Sequence, residues 1–516
     1  MSWWRRQAAR RGDDAAGPVS PPGPRGRATE ERYRAADLVA APAGGGEALV
    51  YRRGAGASHC LSESAVDLLQ RCTTFRTLDD HCQTLARDLH LDASLHAPVR
   101  NELEQLVALG LLTSHESVWQ EALAAYDVTT EGAPPGIATV AVVTCDRPDA
   151  ALRCVESVIE AARRHGRDPA LVVSDDSRDP ASAARLRDAI DRLATDYPAV
   201  THTGRAEREG LATALAAELG DDREVRGALR FALFGSPDEI TPGANRNALL
   251  LHHAGRPFLS LDDDTVCRVA AAPGSDDGLV LSSLPDPSQL WFYPDRGAAL
   301  TAHEWQEVDP VALHEDYLGR TAAACVADLG GPERLDLDQA DATLLRRLGT
   351  GGRVAVTATG LAGDSGMGSA AYFLTLRGAS RERLLADYAT FRDTRAVVRA
   401  VTRPTLSTGA FLMTPCVGLD ATRLLPPFLP VGRNEDGAFA HLLRIVAPDA
   451  LIAHSPWAIY HDPPESRAFS PEALHTPLTT LSPAQAITLA LTASPLGPDG
   501  DPATRLERAA RALREI

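Results

Sequence analysis

The sequence predicts an α/β protein: a doubly wound, mostly parallel sheet preceded by a small winged-helix-like α+β domain. Three observations predict it. Residues 137–194 alternate apolar strand and amphipathic helix twice over, the rhythm of a doubly wound sheet. The run Pro257–Leu261 is apolar, too short for a helix, and ends in Asp262, Asp263 and Asp264, as an interior strand does when it meets solvent. Before either, residues 48–114 hold a short strand and three short helices, complete by about Ser114.

At 516 residues the chain is too long for one ordinary domain. A net charge of −17 and a pI near 5.4 argue against a general binder of nucleic acid or membrane surfaces. The eight cysteines contain no Cys-x-x-Cys pair, which argues against a zinc site or disulfide framework and fits a reducing cytoplasm. No apolar run reaches the roughly 18 residues of a membrane span. Met1–Arg11 has no apolar core of the kind a secretory signal needs.

In chain order, residues 1–45 are rich in Pro, Gly and Ala and read as a disordered tail. The small domain spans 46–115. Its strand is Ala48–Tyr51, and Ser62 N-caps a helix carrying Ala65, Val66, Leu68 and Leu69. Thr77 or Asp79 opens a second helix, and a third from Val99 stops at Gly110. Residues 116–136 read as a linker ending in Pro134-Pro135-Gly136. The main domain covers 137–468, divided into 137–268 and 269–468, and 469–516 is a helical C-terminal tail.

Ligands of such sheets bind outside the carboxyl ends of the strands. Three strand ends carry polar groups there: Thr144–Arg147, Asp175-Asp176-Ser177 and Asp262–Asp264. Alternation along a strand sends Asp262 and Asp264 one way and Asp263 the other. Hard oxygen ligands of this kind suit Mg²⁺ or Mn²⁺ shared with substrate phosphates. Gly243–Leu251 starts a helix whose amide groups, with Arg246, suit a diphosphate. Ser407–Thr414, containing Gly409, reads as a further strand. Glu435-Asp436 opens a helix, where acidic residues also serve capping and the helix dipole. Ala458–Tyr460 delivers His461 to the strand ends, with His454 as its competitor for a metal. Val354–Thr359 is another strand, followed by a glycine-rich loop that lacks a phosphate-loop lysine. That loop reads as an acceptor lid or a connector. Trp291-Phe292-Tyr293 offers rings for a sugar or for the core.

The strand, Leu61–Ala65, Arg76-Thr77-Leu78 and Leu106–Leu112 of the small domain resemble the PqqD-like peptide-recognition domain. The resemblance implies that a leader peptide of a ribosomally made precursor adds beside its sheet. A plain packing or dimerisation module is the alternative. Val142–Pro148, Asp175-Asp176-Ser177, Asn245-Arg246-Asn247 and Leu261–Asp264, in that order, resemble a family 2 glycosyltransferase of GT-A fold. That resemblance implies transfer, with inversion, from a nucleoside-diphosphate sugar, a UDP-sugar favoured. It implies donor contacts from Thr144, Asp175, Asp176, Arg246, Asp262 and Asp263, with Asp175 or Asp176 on the nucleobase. Metal contacts would come from Asp262, Asp264 and His461, general-base work from Asp436, and acceptor-side contacts from Glu435 and Gly409. Ser177 stands where the family often has glycine. The competing functions are a same-fold transferase for a small molecule or polysaccharide, a non-catalytic peptide-binding adaptor, and a nucleotidyltransferase, which would release pyrophosphate.

Overall fold

In the computed structural model the described residues are 31–54, 56–126, 136–349, 351–465, 467–469, 483–494, 496–497 and 499–515. They form a mixed α/β protein that divides into two compact units.

The first unit gathers the described residues up to 126 together with 278–284 and 321–352. β1 (Tyr33–Ala35) pairs antiparallel with β5 (Leu112–Ser114), while β2 (Leu38–Gly44), β3 (Glu47–Arg52) and β4 (Ser58–Ser62) form an antiparallel meander. Residues 31–45, expected to be disordered, are thus mostly strand, and 1–30 lie outside the described residues. The Gly- and Ala-rich composition belongs to a hairpin instead, with Gly44, Gly45 and Gly46 all at positive φ. Ser62 accepts a bond from the Ala65 amide and caps Glu63–Arg71, and Thr77 caps Leu78–Asp88 in the same way. The third helix, His96–Ala108, is followed by Gly110 at φ 70°. All three bury apolar stripes, among them Leu69, Leu85, Leu103 and Leu106, in one core.

The expected linker begins as a helix, His115–Ala125. Ser114 and Ser117 form its capping box, and Val118, Trp119 and Ala122 are buried. Residues 127–135 lie outside the described residues. Helices Ala322–Ala327 and Ala342–Gly349 pack against this helix, and the parallel pair β11 (Leu279–Ser282) and β14 (Leu335–Gln339) belongs to the same unit. Arg346 pairs with Asp37 at 2.7 Å, and Arg32 with Asp338 at 3.0 Å. The span 269–468 is therefore not one contiguous half of the main domain, because two of its segments complete the front unit.

In the second unit β6 (Thr139–Thr144), β7 (Ala170–Asp175), β8 (Val200–Thr203) and β9 (Pro257–Asp262) run parallel in the order β9-β6-β7-β8. Helices Pro148–His165 and Pro180–Leu193 link the first three strands. The helical pair Arg205–Leu219 and Arg223–Phe234, then helix Pro242–His252, lead to β9. The rest of the sheet is mixed rather than mostly parallel. β10 (Thr265–Ala271) pairs antiparallel with β13 (Trp305–Gln306) and with β19 (Ala450–His461). β12 (Gln289–Phe292) pairs with β16 (Ala396–Ala400), which is antiparallel to β15 (Arg353–Asp364). β17 (Thr405–Ser407) is antiparallel to β19, which is parallel to β15; β18 (Cys416–Asp420) joins β15 to β9, antiparallel to both.

The strand expected over 407–414 ends at Ser407. Trp291-Phe292-Tyr293 goes to structure: Phe292 is buried against Phe373 and Phe391, and the Arg383 guanidinium lies 4.4 Å from the Trp291 ring centre. Helices Pro483–Ala493 and Pro502–Arg514 pack on helix Glu435–Val446, and Arg505 donates to the Val446 carbonyl at 2.9 and 2.7 Å. Among the described residues no helix is long and apolar enough to cross a membrane.

Candidate active site

The ends of β6, β7 and β9 are laced into one frame. After β6 the chain turns at Asp146, which takes φ 55°. Its amide donates to Ser177 Oγ at 2.8 Å, and its Oδ1 accepts from the amides of Arg178 and Asp179, both at 2.9 Å. Asn245 Nδ2 donates to the carbonyls of Thr144 (3.1 Å) and Ser174 (2.9 Å), which ties helix Pro242–His252 to both strands. Asn247 binds Phe428 through both its amide and its carbonyl. Gly243 makes that approach feasible: a Cβ there would lie 1.9 Å from the Leu429 carbonyl oxygen.

The three aspartates divide differently from strand alternation. β9 stops at Asp262, so Asp263 and Asp264 sit in a turn, and both accept from Arg147 Nη1, at 2.6 and 3.2 Å. Asp263 also accepts from Thr144 Oγ1 at 2.7 Å. Asp262 turns instead to Arg246, whose Nη2 lies 2.6 Å away and also donates to Thr414 Oγ1. Burial raises the pKa of Asp262 despite Arg246, and burial with the Asp264 charge raises Asp263. Burial acts on Asp264 too, but His461 and Arg147 outweigh it and hold this carboxylate below the usual range.

His461, rather than His454, reaches the acidic turn. Its Nε2 lies 3.1 Å from Asp264 Oδ1, and its Nδ1 donates to the Asp364 carbonyl at 2.6 Å. Burial opposes charge on this ring, yet Asp264 outweighs it and raises the pKa to about 9. Gly363 permits the arrangement, since a Cβ there would lie 2.3 Å from the His461 carbonyl oxygen. His454 is half-buried, and desolvation lowers its pKa to about 4 and keeps it neutral.

Asp175 and Asp176 are each 1 % exposed and bonded within the protein. Asp175 accepts from the Ser177 amide at 2.8 Å and faces His202 Nε2 at 3.1 Å; burial raises its pKa less than these partners lower it. Asp176 Oδ1 takes Arg205 (2.5 Å) and Arg208 (2.9 Å), and Oδ2 takes Thr241 at 2.6 Å. As folded, neither aspartate offers an oxygen to a nucleobase. This departs from the expected donor contact, because the helical pair 205–234 supplies arginines that fill the place.

Helix Glu435–Val446 starts from Asn434 at φ 71°, with Glu435 buried and Asp436 half-buried. Burial and the neighbouring Glu435 push Asp436 up to about 7, with Arg246 and Asp262 within electrostatic reach. Gly409 lies buried beyond β17, its amide donating to Ser407 Oγ at 2.8 Å. The sequence reading assigned no role to Arg147, Asn245, Thr414 or Asp364. Arg147, Asn245 and Thr414 lie inside segments singled out in the sequence and Asp364 in the glycine-rich stretch, but no local signal gives their partners.

The donors fit a hard divalent cation in part. Asp264 and His461 Nε2 face each other, and the Nδ1 bond to a carbonyl is the outer contact that orients a ligating imidazole. Asp262 is turned to Arg246, and among the described residues no three His, Cys, Asp or Glu side chains converge as a metal cage. Compared with protein-family models and with curated proteins, the chain matches none.

Proposed function

We propose that the chain is a metal-dependent, inverting glycosyltransferase of GT-A type. It moves a sugar from a nucleoside-diphosphate sugar, a UDP-sugar favoured, to an acceptor on a ribosomally made peptide. The first unit is then the PqqD-like, winged-helix-like module that holds the leader. The observation that carries the reading is the meeting of Asp264 and His461 at the carboxyl end of the parallel strands, with Arg246 beside Asp262 and Asp436 in reach.

Asp436 takes the proton of the acceptor hydroxyl as its oxygen bonds to the anomeric carbon and the bond to the diphosphate breaks. A carboxylate raised towards neutrality suits that work. Arg246, buried and preorganised by Asp262 and Thr414, offsets charge on the departing diphosphate. Arg147 and Thr144 hold Asp263 and thereby the acidic turn. Asp264 and His461 would hold Mg²⁺ or Mn²⁺, which when bound supplies Lewis-acid compensation for the same leaving group. In the front unit β2 and β4 are both edges of the three-stranded sheet, and a strand adding to such an edge gains main-chain hydrogen bonds.

Calorimetric titration of the wild type and Asp264→Asn with UDP, GDP and CMP, with and without Mn²⁺, tests the donor site. The expected result is Mn²⁺-dependent binding of UDP, lost in the variant. A wild type that binds none of the three overturns the reading in favour of a peptide-binding adaptor.

A further inference from the structure

The segment Phe411–Pro415 runs along the rim of the candidate site and joins its two halves. At one end Thr414 accepts from Arg246, and the Pro415 carbonyl accepts from the Asp262 amide at 3.1 Å. At the other, the Arg399 guanidinium stacks 3.8 Å from the Phe411 ring centre. Between them Met413 reaches the glycine-rich loop after β15. A Cβ on Gly366, which holds φ 68°, would meet Met413 Cε at 3.1 Å and His461 Cε1 at 3.6 Å. Met367 completes the patch, with its sulfur 3.6 Å from Arg399 Nη1. Met367 and Met413 are two of only three methionines in the chain.

The charged side chains Arg395, Arg399 and His461 beside this patch are paired within the protein. Arg395 is bidentate on Asp364 at 3.0 and 2.9 Å, and Arg399 is held by Asp286 and by Ser288 at 2.9 Å. His461 is divided between Asp264 and the Asp364 carbonyl. Met367, Met413 and Phe411 are half-buried, with both thioethers packed at the edge of the core that holds Phe292 and Phe373. Thioether side chains adapt to irregular apolar shapes and favour aromatic neighbours. A polyhydroxylated acceptor needs free donors and acceptors to replace its water, and sites lacking them reject such ligands.

We propose that Met367, Met413 and Phe411 form the acceptor subsite, and that it takes a hydroxyl carried on an aromatic or large apolar body, not a sugar. This rests on the glycosyl-transfer reading and narrows it: the acceptor residue is tyrosine-like, or lies beside a bulky apolar residue.

The small methionine count supplies the test. The full chain labelled with [methyl-¹³C]methionine is observed by NMR, with Met367→Leu and Met413→Leu assigning the signals. N-acetyl-tyrosinamide and methyl glucoside are titrated in turn, with UDP and Mg²⁺ present and then absent. The expected result is that N-acetyl-tyrosinamide moves the Met367 and Met413 signals while Met1 stays still and the glucoside moves neither. Phe411→Ala weakens that response about tenfold in affinity, equivalent to about 1.4 kcal/mol. Unmoved Met367 and Met413 signals, or an equal response to the glucoside, overturn the subsite. Because the aromatic probe is read without donor as well, this outcome is separate from failure of UDP binding, which overturns glycosyl transfer alone.

Discussion

Two acidic motifs end the strands on either side of β6, and the fold treats them in opposite ways. At the end of β7, Asp175 and Asp176 are surrounded by His202, Arg205, Arg208 and Thr241 and closed to solvent. At the end of β9, Asp262–Asp264 share Arg147, Arg246 and His461, and the Asp262 side chain stays about a quarter open, at 27 %. The first is a fully compensated anchor for an inserted helical pair. The second keeps unequal carboxylates, two raised and one depressed, beside Asp436, whose pKa is raised to about 7. Acidic residues at a strand end therefore do not define a site. A site needs incomplete compensation, which is where a ligand can add energy.

The sharpest way to break this contrast is to remove the proposed base. Asp436→Asn is expected to lower transfer by about 10²–10⁴-fold, the usual range for general acid–base work, while calorimetric UDP binding is kept. Wild-type turnover should rise with pH through about 7 as Asp436 loses its proton. The linkage runs the opposite way for stability. A carboxylate whose pKa is raised on folding binds its proton more tightly in the native state, so stability falls between the unfolded value near 4 and about 7. Urea denaturation should accordingly find Asp436→Asn at least as stable as wild type at pH 8, with any advantage gone at pH 4.

Asp176→Ala tests the anchor. It leaves Arg208, only 4 % exposed, without its carboxylate, and loss of one partner of a buried pair costs about 3–5 kcal/mol. Urea denaturation reads that loss, and a change confined to activity would place Asp176 in the site instead. Excision of residues 1–115 should yield insoluble protein. It removes the helical core of the front unit together with Asp37 and Arg32, the ion-pair partners of Arg346 and Asp338, so sedimentation of the truncated chain checks the composition of the front unit. The smallest effect belongs to a local feature: Ser62→Ala should cost about 1 kcal/mol in urea denaturation through loss of its helix cap.

Local rules act over a few residues, and what they govern was legible. Ser62 and Thr77 cap the helices predicted from them, Glu435 begins its helix, and β6, β7 and β9 stand where apolar runs end in polar residues. These features depend on hydrogen bonds and side-chain periodicity within one turn or one strand. Candidate site residues were legible as types at strand ends, since the ends of parallel strands converge whatever lies between them.

Partnership was not legible. Whether Asp176 meets a ligand or two arginines depends on a helical pair some 30 residues further on. His461 was distinguished from His454 only by the pairing of β19 with β10, which brings its ring to Asp264. The front unit draws on residues 321–352, which no linker signal marks. Sequence periodicity and capping established which segments are strands and helices and which ends are polar. Burial and charge compensation are sums over neighbours distant in the chain, so only the folded arrangement decided which carboxylates are satisfied and which remain open to chemistry.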